Sequence, residues 1–131
     1  MENTFDYDIV TNNPSVKDKY ENIIFVDGGF KDVLFKVRDL VHNGAELINH
    51  PLGASIRMFF SPYRSIIIRE KSEGNSEINK EYYINTIENS IENYNKQMEN
   101  RNPDVVNSED YSLIDENLLE SAIGEFKRMQ N

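Results

Sequence analysis

Four short apolar runs constrain this chain more than any other feature: Asp8-Ile-Val-Thr11, Ile23-Ile-Phe-Val26, Ala45-Glu-Leu-Ile48 and Ser65-Ile-Ile-Ile68. Each is of strand length. The first three stop at Asn12-Asn13-Pro14, Asp27-Gly28-Gly29 and Asn49-His50-Pro51, residues that punctuate turns. Amphipathic segments lie between the early runs. Asn13 before Pro14 reads as an N-cap followed by proline at the first helical position, with the helix running through Val16 to about Tyr20. From Phe30 to Asn43, Val33, Leu34, Val37, Leu40 and Val41 fall on one helical face, and Gly44 supplies the stop. Short strands alternating with such helices predict an α/β fold: a small three-layer domain with a mostly parallel sheet of about four strands. Ile23–Val26 reads as a strand buried on both faces. Leu52 to Arg64 shows no helical pattern, which leaves an antiparallel connection between the third and fourth strands open.

After the polar break Lys71–Ser76, two C-terminal helices are expected. The first, about Glu77 to Asn100, carries Ile84, Ile87, Ile91, Tyr94 and Met98 at alternating spacings of three and four, a narrow apolar stripe. The second, about Ser112 to Met129, carries Leu118, Leu119, Ala122, Ile123, Phe126 and Met129, with Ser112 and Asp115 as a capping pair. The stripe would pack on the sheet or the neighbouring helix; its other use would be a homodimer. The 131 residues read as one α/β domain, a strand and helix core over 1–70 and an acidic helical part over 76–131.

Charge narrows the function classes. The net charge is −9, which argues against nucleic acid, since phosphate contacts need a basic face. Residues 1–70 hold eight basic and ten acidic side chains, against six and thirteen in residues 71–131. The acidic half reads as a solvated helical layer or, alternatively, a docking surface. With no cysteine there is no disulfide and no thiolate chemistry, and with two histidines a transition-metal site is not expected. No apolar run of membrane-spanning length and no signal-peptide pattern occurs, so a cytoplasmic protein without membrane contact is expected.

One stretch reverses the charge. From Leu47 to Arg69 there are three arginines, one histidine and no acid. Ligands of open α/β sheets bind beyond the carboxyl ends of parallel strands, where the three turns would gather. Asn12, Asn13, Gly28 and Gly29 would then offer amide and backbone contacts, with the helix after Pro14 aiming free N–H groups at an anion. Arg57 and Arg64 would clamp a carboxylate or phosphate, and His50 is the group suited to proton transfer near neutral pH. Each has a plainer reading: the Asn and Gly residues as turns and caps, His50 as a loop residue, Arg57, Arg64 and Arg69 as partners of the acidic helices, and His42 as an exposed helix residue. No nucleotide motif, nucleophile elbow or triad is present, so a binding protein without a cofactor is expected ahead of an enzyme.

Thr11-Asn-Asn-Pro-Ser-Val-Lys17 with Tyr20, then Val33-Leu34, Val37-Arg-Asp-Leu-Val-His42 with Gly44, His50-Pro51-Leu52, Ser55, and Pro62-Tyr63 with Ser65 resemble the GrdX family over residues 8–69. These are small proteins of anaerobic, amino-acid-fermenting bacteria, encoded beside the glycine reductase system and its sarcosine and betaine relatives. The chain departs from the family pattern at Met58-Phe59-Phe60, where a more polar loop is usual. The resemblance implies a cytoplasmic accessory role and reductase components as partners. It also draws Asn12, Asn13, His50, Ser55 and Tyr63 into the candidate site. The expected ligand is a small anion at the carboxyl edge of the sheet. The alternative is a docking subunit that uses the acidic helices or the apolar stripe.

Overall fold

The computed structural model describes residues 7–53, 56–70 and 77–129. The chain runs β1 (Asp8–Thr11), α1 (Pro14–Lys19), β2 (Ile23–Phe25), α2 (Phe30–His42), β3 (Glu46–Leu47), a 3₁₀ turn (Ile56–Phe60), β4 (Ser65–Arg69), α3 (Glu77–Gln97) and α4 (Ser108–Met129). Local signals place the early elements. Asn13 caps α1 by accepting the Ser15 N–H at 3.1 Å, with Pro14 as the first helical residue. Gly44, at φ 107°, takes the left-handed position that stops α2. The polar break at 71–76 lies outside the described residues.

The sheet order is β2-β1-β4-β3. β1 and β2 are parallel, with Ile9 opposite Ile23, whereas β4 is antiparallel to both β1 and β3. The expectation of a mostly parallel sheet is therefore corrected to a mixed one. Parallel neighbours need a crossover, usually a helix, and the link from β3 to β4 contains only the 3₁₀ turn. Nor is the helical complement the C-terminal pair alone: with α1 and α2 it comes to four α-helices among the described residues. β2 is an edge strand, and Phe25 stays 36% exposed, so its apolar run does not mark burial on both faces.

Alternation along the inner strands divides the core into two layers. Val10, Ile66 and Ile68 face α2 and α3, packing with Phe30, Val33, Leu34, Val37, Ile87, Ile91 and Tyr94. Ile9 and Ile67 face the opposite way, against Val16 of α1 and Leu119, Ile123 and Phe126 of α4. A fully buried aliphatic or Phe side chain contributes roughly 1.5–3 kcal/mol, so both helical layers are held chiefly by these faces. The α3 stripe is used inside the chain: Ile87, Ile91 and Tyr94 are buried, with Ile84 and Met98 packed partly against them. Met58 and Phe59 are buried too, and Phe60 lies under Arg101, 5.8 Å from its ring centroid. Met58 and Phe59 are thus buried and Phe60 half-buried, so the run is not an exposed patch.

Candidate functional site

β3 pairs antiparallel with β4, and β4 antiparallel with β1, so β1, β2 and β3 all point one way. Their carboxyl ends share one edge, and β4 begins there. Asn12, at that edge and 5% exposed, ties the turns together. Its Nδ2 donates to the Gly28 carbonyl at 2.9 Å and the Pro62 carbonyl at 2.8 Å, and its Oδ1 accepts the Arg64 N–H at 2.9 Å. Asn13 reaches the other way, into α4. Its Nδ2 donates to the Ser112 carbonyl and to Asp115 Oδ2, both at 3.1 Å, and its Oδ1 accepts from Ser112 Oγ at 2.9 Å.

Asp115 is the side chain that reading by sequence missed. α4 starts at Ser108, four residues before the expected cap, so Ser112 and Asp115 are interior helical positions and the capping pair is corrected. Asp115 is fully buried. A chain of donors ends on it: the Asn13 N–H to Thr11 Oγ1 at 3.0 Å, Thr11 Oγ1 to Ser65 Oγ at 2.7 Å, and Ser65 Oγ to Asp115 Oδ2 at 2.7 Å. Oδ1 has no partner. Burial pushes the carboxyl up from its ordinary value, outweighing the hydrogen bonds from Ser65 and Asn13 and the charge of Arg64, which act the other way. The raised value favours the protonated acid in the fold. Its stabilising contribution is complete below the ordinary carboxylate range and is lost as pH rises through the folded-state value. Asp115→Asn keeps an oxygen for Ser65 and Asn13 and carries no charge. Urea titrations of both proteins at pH 4 and pH 8 should show the variant gaining on wild type at pH 8; a difference that does not change with pH would contradict this reading.

Arg64 sits one residue before β4, its backbone held by Asn12. It is 3% exposed. Its Nε donates to the Pro51 carbonyl at 2.7 Å and its Nη2 to the His50 carbonyl at 2.6 Å. Gly53 sits against the guanidinium, and its φ of +73° is what calls for glycine; a Cβ there would make only ordinary contact, 3.7 Å from Nη1 and Nη2. No carboxylate of a described residue comes within 4.0 Å of this guanidinium, and Asp115 supports its charge only at longer range, while burial works against it. Nη1 hydrogen-bonds no described residue. Arg64 lines a cavity of about 220 Å³ with Asn49, His50, Gly53, Met58, Leu118 and Ala122. Arg69, by contrast, is compensated: it pairs with Glu46 at 3.0 Å and lies 5.4 Å from the Phe126 ring centroid.

His50 borders the same cavity. Its Nδ1 accepts the Leu52 N–H at 3.1 Å, so the neutral ring carries its proton on Nε2. Burial, then the charge of Arg64, lowers its pKa from the ordinary histidine value. The one basic nitrogen of the neutral ring is therefore occupied, which argues against a general-base role.

The other expected site residues divide among separate places. Gly28 gives its carbonyl to Asn12. Gly29 caps α2, its N–H bonded to Asp32 Oδ2 at 2.8 Å, and borders a different cavity beside Tyr94 and Arg101. Tyr63 lines a third cavity, with Ser15, Ser112 and Glu116. α1 has six residues, and its Ser15 N–H is taken by its own cap. Arg57 belongs to the 3₁₀ turn, but its side chain, like the whole of Ser55, lies outside the described residues. His42 is exposed on α2, 3.9 Å from Glu88. Among the described residues no cluster of three or more His, Asp or Glu is placed to hold a metal ion, and no helix is long and apolar enough to cross a membrane.

Against known proteins, the family model described as GrdX-like protein matches residues 8–124. That span takes in the whole sheet and reaches well into α4. Comparisons with curated proteins and with solved structures find no match.

Proposed function

The chain belongs to the GrdX-like protein family, and from that premise we propose a cytoplasmic accessory protein of a glycine-reductase-type system that holds a small anion on Arg64. The observation that carries the reading is a guanidinium 3% exposed, without a carboxylate of any described residue within 4.0 Å, lining a cavity of about 220 Å³. A buried charge with only carbonyl acceptors and a distant acid costs up to several kcal/mol, the full figure being roughly that for removing one partner of a buried ion pair. A carboxylate or phosphate bound there offsets that cost through charge-assisted hydrogen bonds. The cavity suits a ligand of a few heavy atoms. The acid-free stretch around it removes repulsion that the net charge of −9 would otherwise impose.

The test is a thermal-shift and calorimetry panel of phosphate, acetyl phosphate, glycine, sarcosine and betaine. Binding to the fold adds about 2.7 kcal/mol of stability at a hundredfold excess over Kd. Leu118, 42% exposed on α4, is the place to intervene without opening the core. Leu118→Glu sets a carboxylate at the cavity and should weaken an anion about tenfold, ~1.4 kcal/mol. No shift with any anion, or unchanged affinity in Leu118→Glu, overturns the reading.

The docking alternative draws support from Leu113, Ile114 and Leu118, which stand 58%, 42% and 42% exposed on α4 among its acids. Failure to co-purify with reductase components at low salt would remove it.

A further inference from the structure

A second cavity, of about 350 Å³, lies between the end of β3 and α4 and abuts the first at Asn49 and Ala122, which line both. Its other walls are mainly apolar: Leu47, Ile48, Phe126 and Met129. Its charged groups already have partners. Arg69 is paired with Glu46 and packed on Phe126, and Glu125 is paired with Arg128. The Asn49 Oδ1 is taken by the Ile67 N–H at 2.7 Å. The peptide units of an extended peptide would find few side-chain partners along this groove, whereas an aliphatic chain needs none. The cavity lined by Arg64 thus borders an apolar trough.

We infer that the ligand held by Arg64 is an anion bearing an unbranched aliphatic tail, a short acyl carboxylate, with the tail laid between β3 and α4. This rests on the anion-binding reading above and specifies its ligand class. The tail leaves the head group at the Asn49–Ala122 boundary and runs toward Phe126 and Met129. Met129 is 79% exposed at the far end, where a bound chain would cover it.

The experiment is calorimetry on the full chain with straight-chain carboxylates from acetate to octanoate. Affinity should rise about fourfold per methylene buried, the equivalent of ~0.8 kcal/mol each, until the trough is filled. Met129→Asp places a charge in the trough and does not touch the Arg64 cavity, so it should flatten the series while leaving acetate unchanged. Wild type binding hexanoate no tighter than acetate overturns the tail and leaves the anion site standing. A chain-length dependence untouched by Met129→Asp puts the tail elsewhere and also overturns it. If neither a carboxylate nor phosphate binds at all, the Arg64 reading itself has failed and the tail falls with it.

Discussion

Asn12→Ala is expected to lower unfolding free energy by about 3 kcal/mol. The side chain makes three hydrogen bonds, to the Gly28 and Pro62 carbonyls and from the Arg64 N–H. Each contributes roughly 1 kcal/mol net, and more where the abandoned partner stays dry. Against a total of ~5–15 kcal/mol, that is a large fraction. Asn12→Asp should not rescue it, because it keeps the acceptor for Arg64 but turns a carboxylate toward two carbonyls. In urea, the midpoint should fall with the slope unchanged. The same variant frees the backbone of Arg64, so any anion that binds wild type should bind it more weakly. A loss below ~1 kcal/mol would mean that water or a shifted turn replaces all three contacts.

Phe30→Ala should cost about 4 kcal/mol, within the range for emptying a buried aromatic site. Phe30 opens α2, is 1% exposed and stacks on Tyr94 of α3, with ring centroids 4.8 Å apart and planes 20° apart. Tyr94 in turn meets Phe59 at 6.0 Å. One ring therefore joins α2, α3 and the 3₁₀ turn. The cavity left by alanine would strip α3 of its stacked aromatic contact and loosen the sheet face it shares with Val10, Ile66 and Ile68, while leaving the α4 layer in place. Amide exchange should show it: protection around Ile87 to Tyr94 should fall further than protection in β1. Equal losses in both places would mean that the layers unfold as one unit and would refute a local role for the Phe30–Tyr94 stack.

What was legible in the residues was local. Asn13-Pro14 announces α1 because cap chemistry needs only adjacent atoms, and the periodicity over Phe30 to Asn43 sets α2 to within a residue. The convergence of the three strand-end turns was also readable, because it requires only that β1, β2 and β3 run the same way. Strand order was not. Ile23–Val26 and Ser65–Ile68 are similar apolar runs, yet one became an edge strand and the other lies between β1 and β3. Nothing in the apolar run itself distinguishes these places. Asp115 stands apart, for its signal was present: with Leu119, Ile123 and Phe126 it falls at spacings of four, four and three, an acid on the buried stripe of α4. The Ser-x-x-Asp pattern masked it, because the same spacing that caps a helix start also places two residues on one face of its interior. Arg64 was read as a ligand clamp; the structure shows it buried, with no carboxylate of a described residue within 4.0 Å. The grip of its Nε and Nη2 on the carbonyls of Pro51 and His50 depends on a fold-back that no spacing shows.

The reversed direction of β4 has a consequence for how the molecule comes to be. Thr11 and Ser65 touch although 54 positions apart, and β3 has no neighbour in the sheet until β4 fills the gap between it and β1. A chain emerging from the ribosome N-terminus first would hold β1 and β2 together through their short connection but leave the middle of the sheet vacant until residue 69 is free. Closing such a long loop is slow because its entropy is lost before the contacts are gained. Arg64 arrives at that same late step, and Leu118 and Ala122 arrive later still. No partly built molecule carries the Arg64 cavity, so a ligand held there as proposed would count only finished copies and would favour completion of the last step.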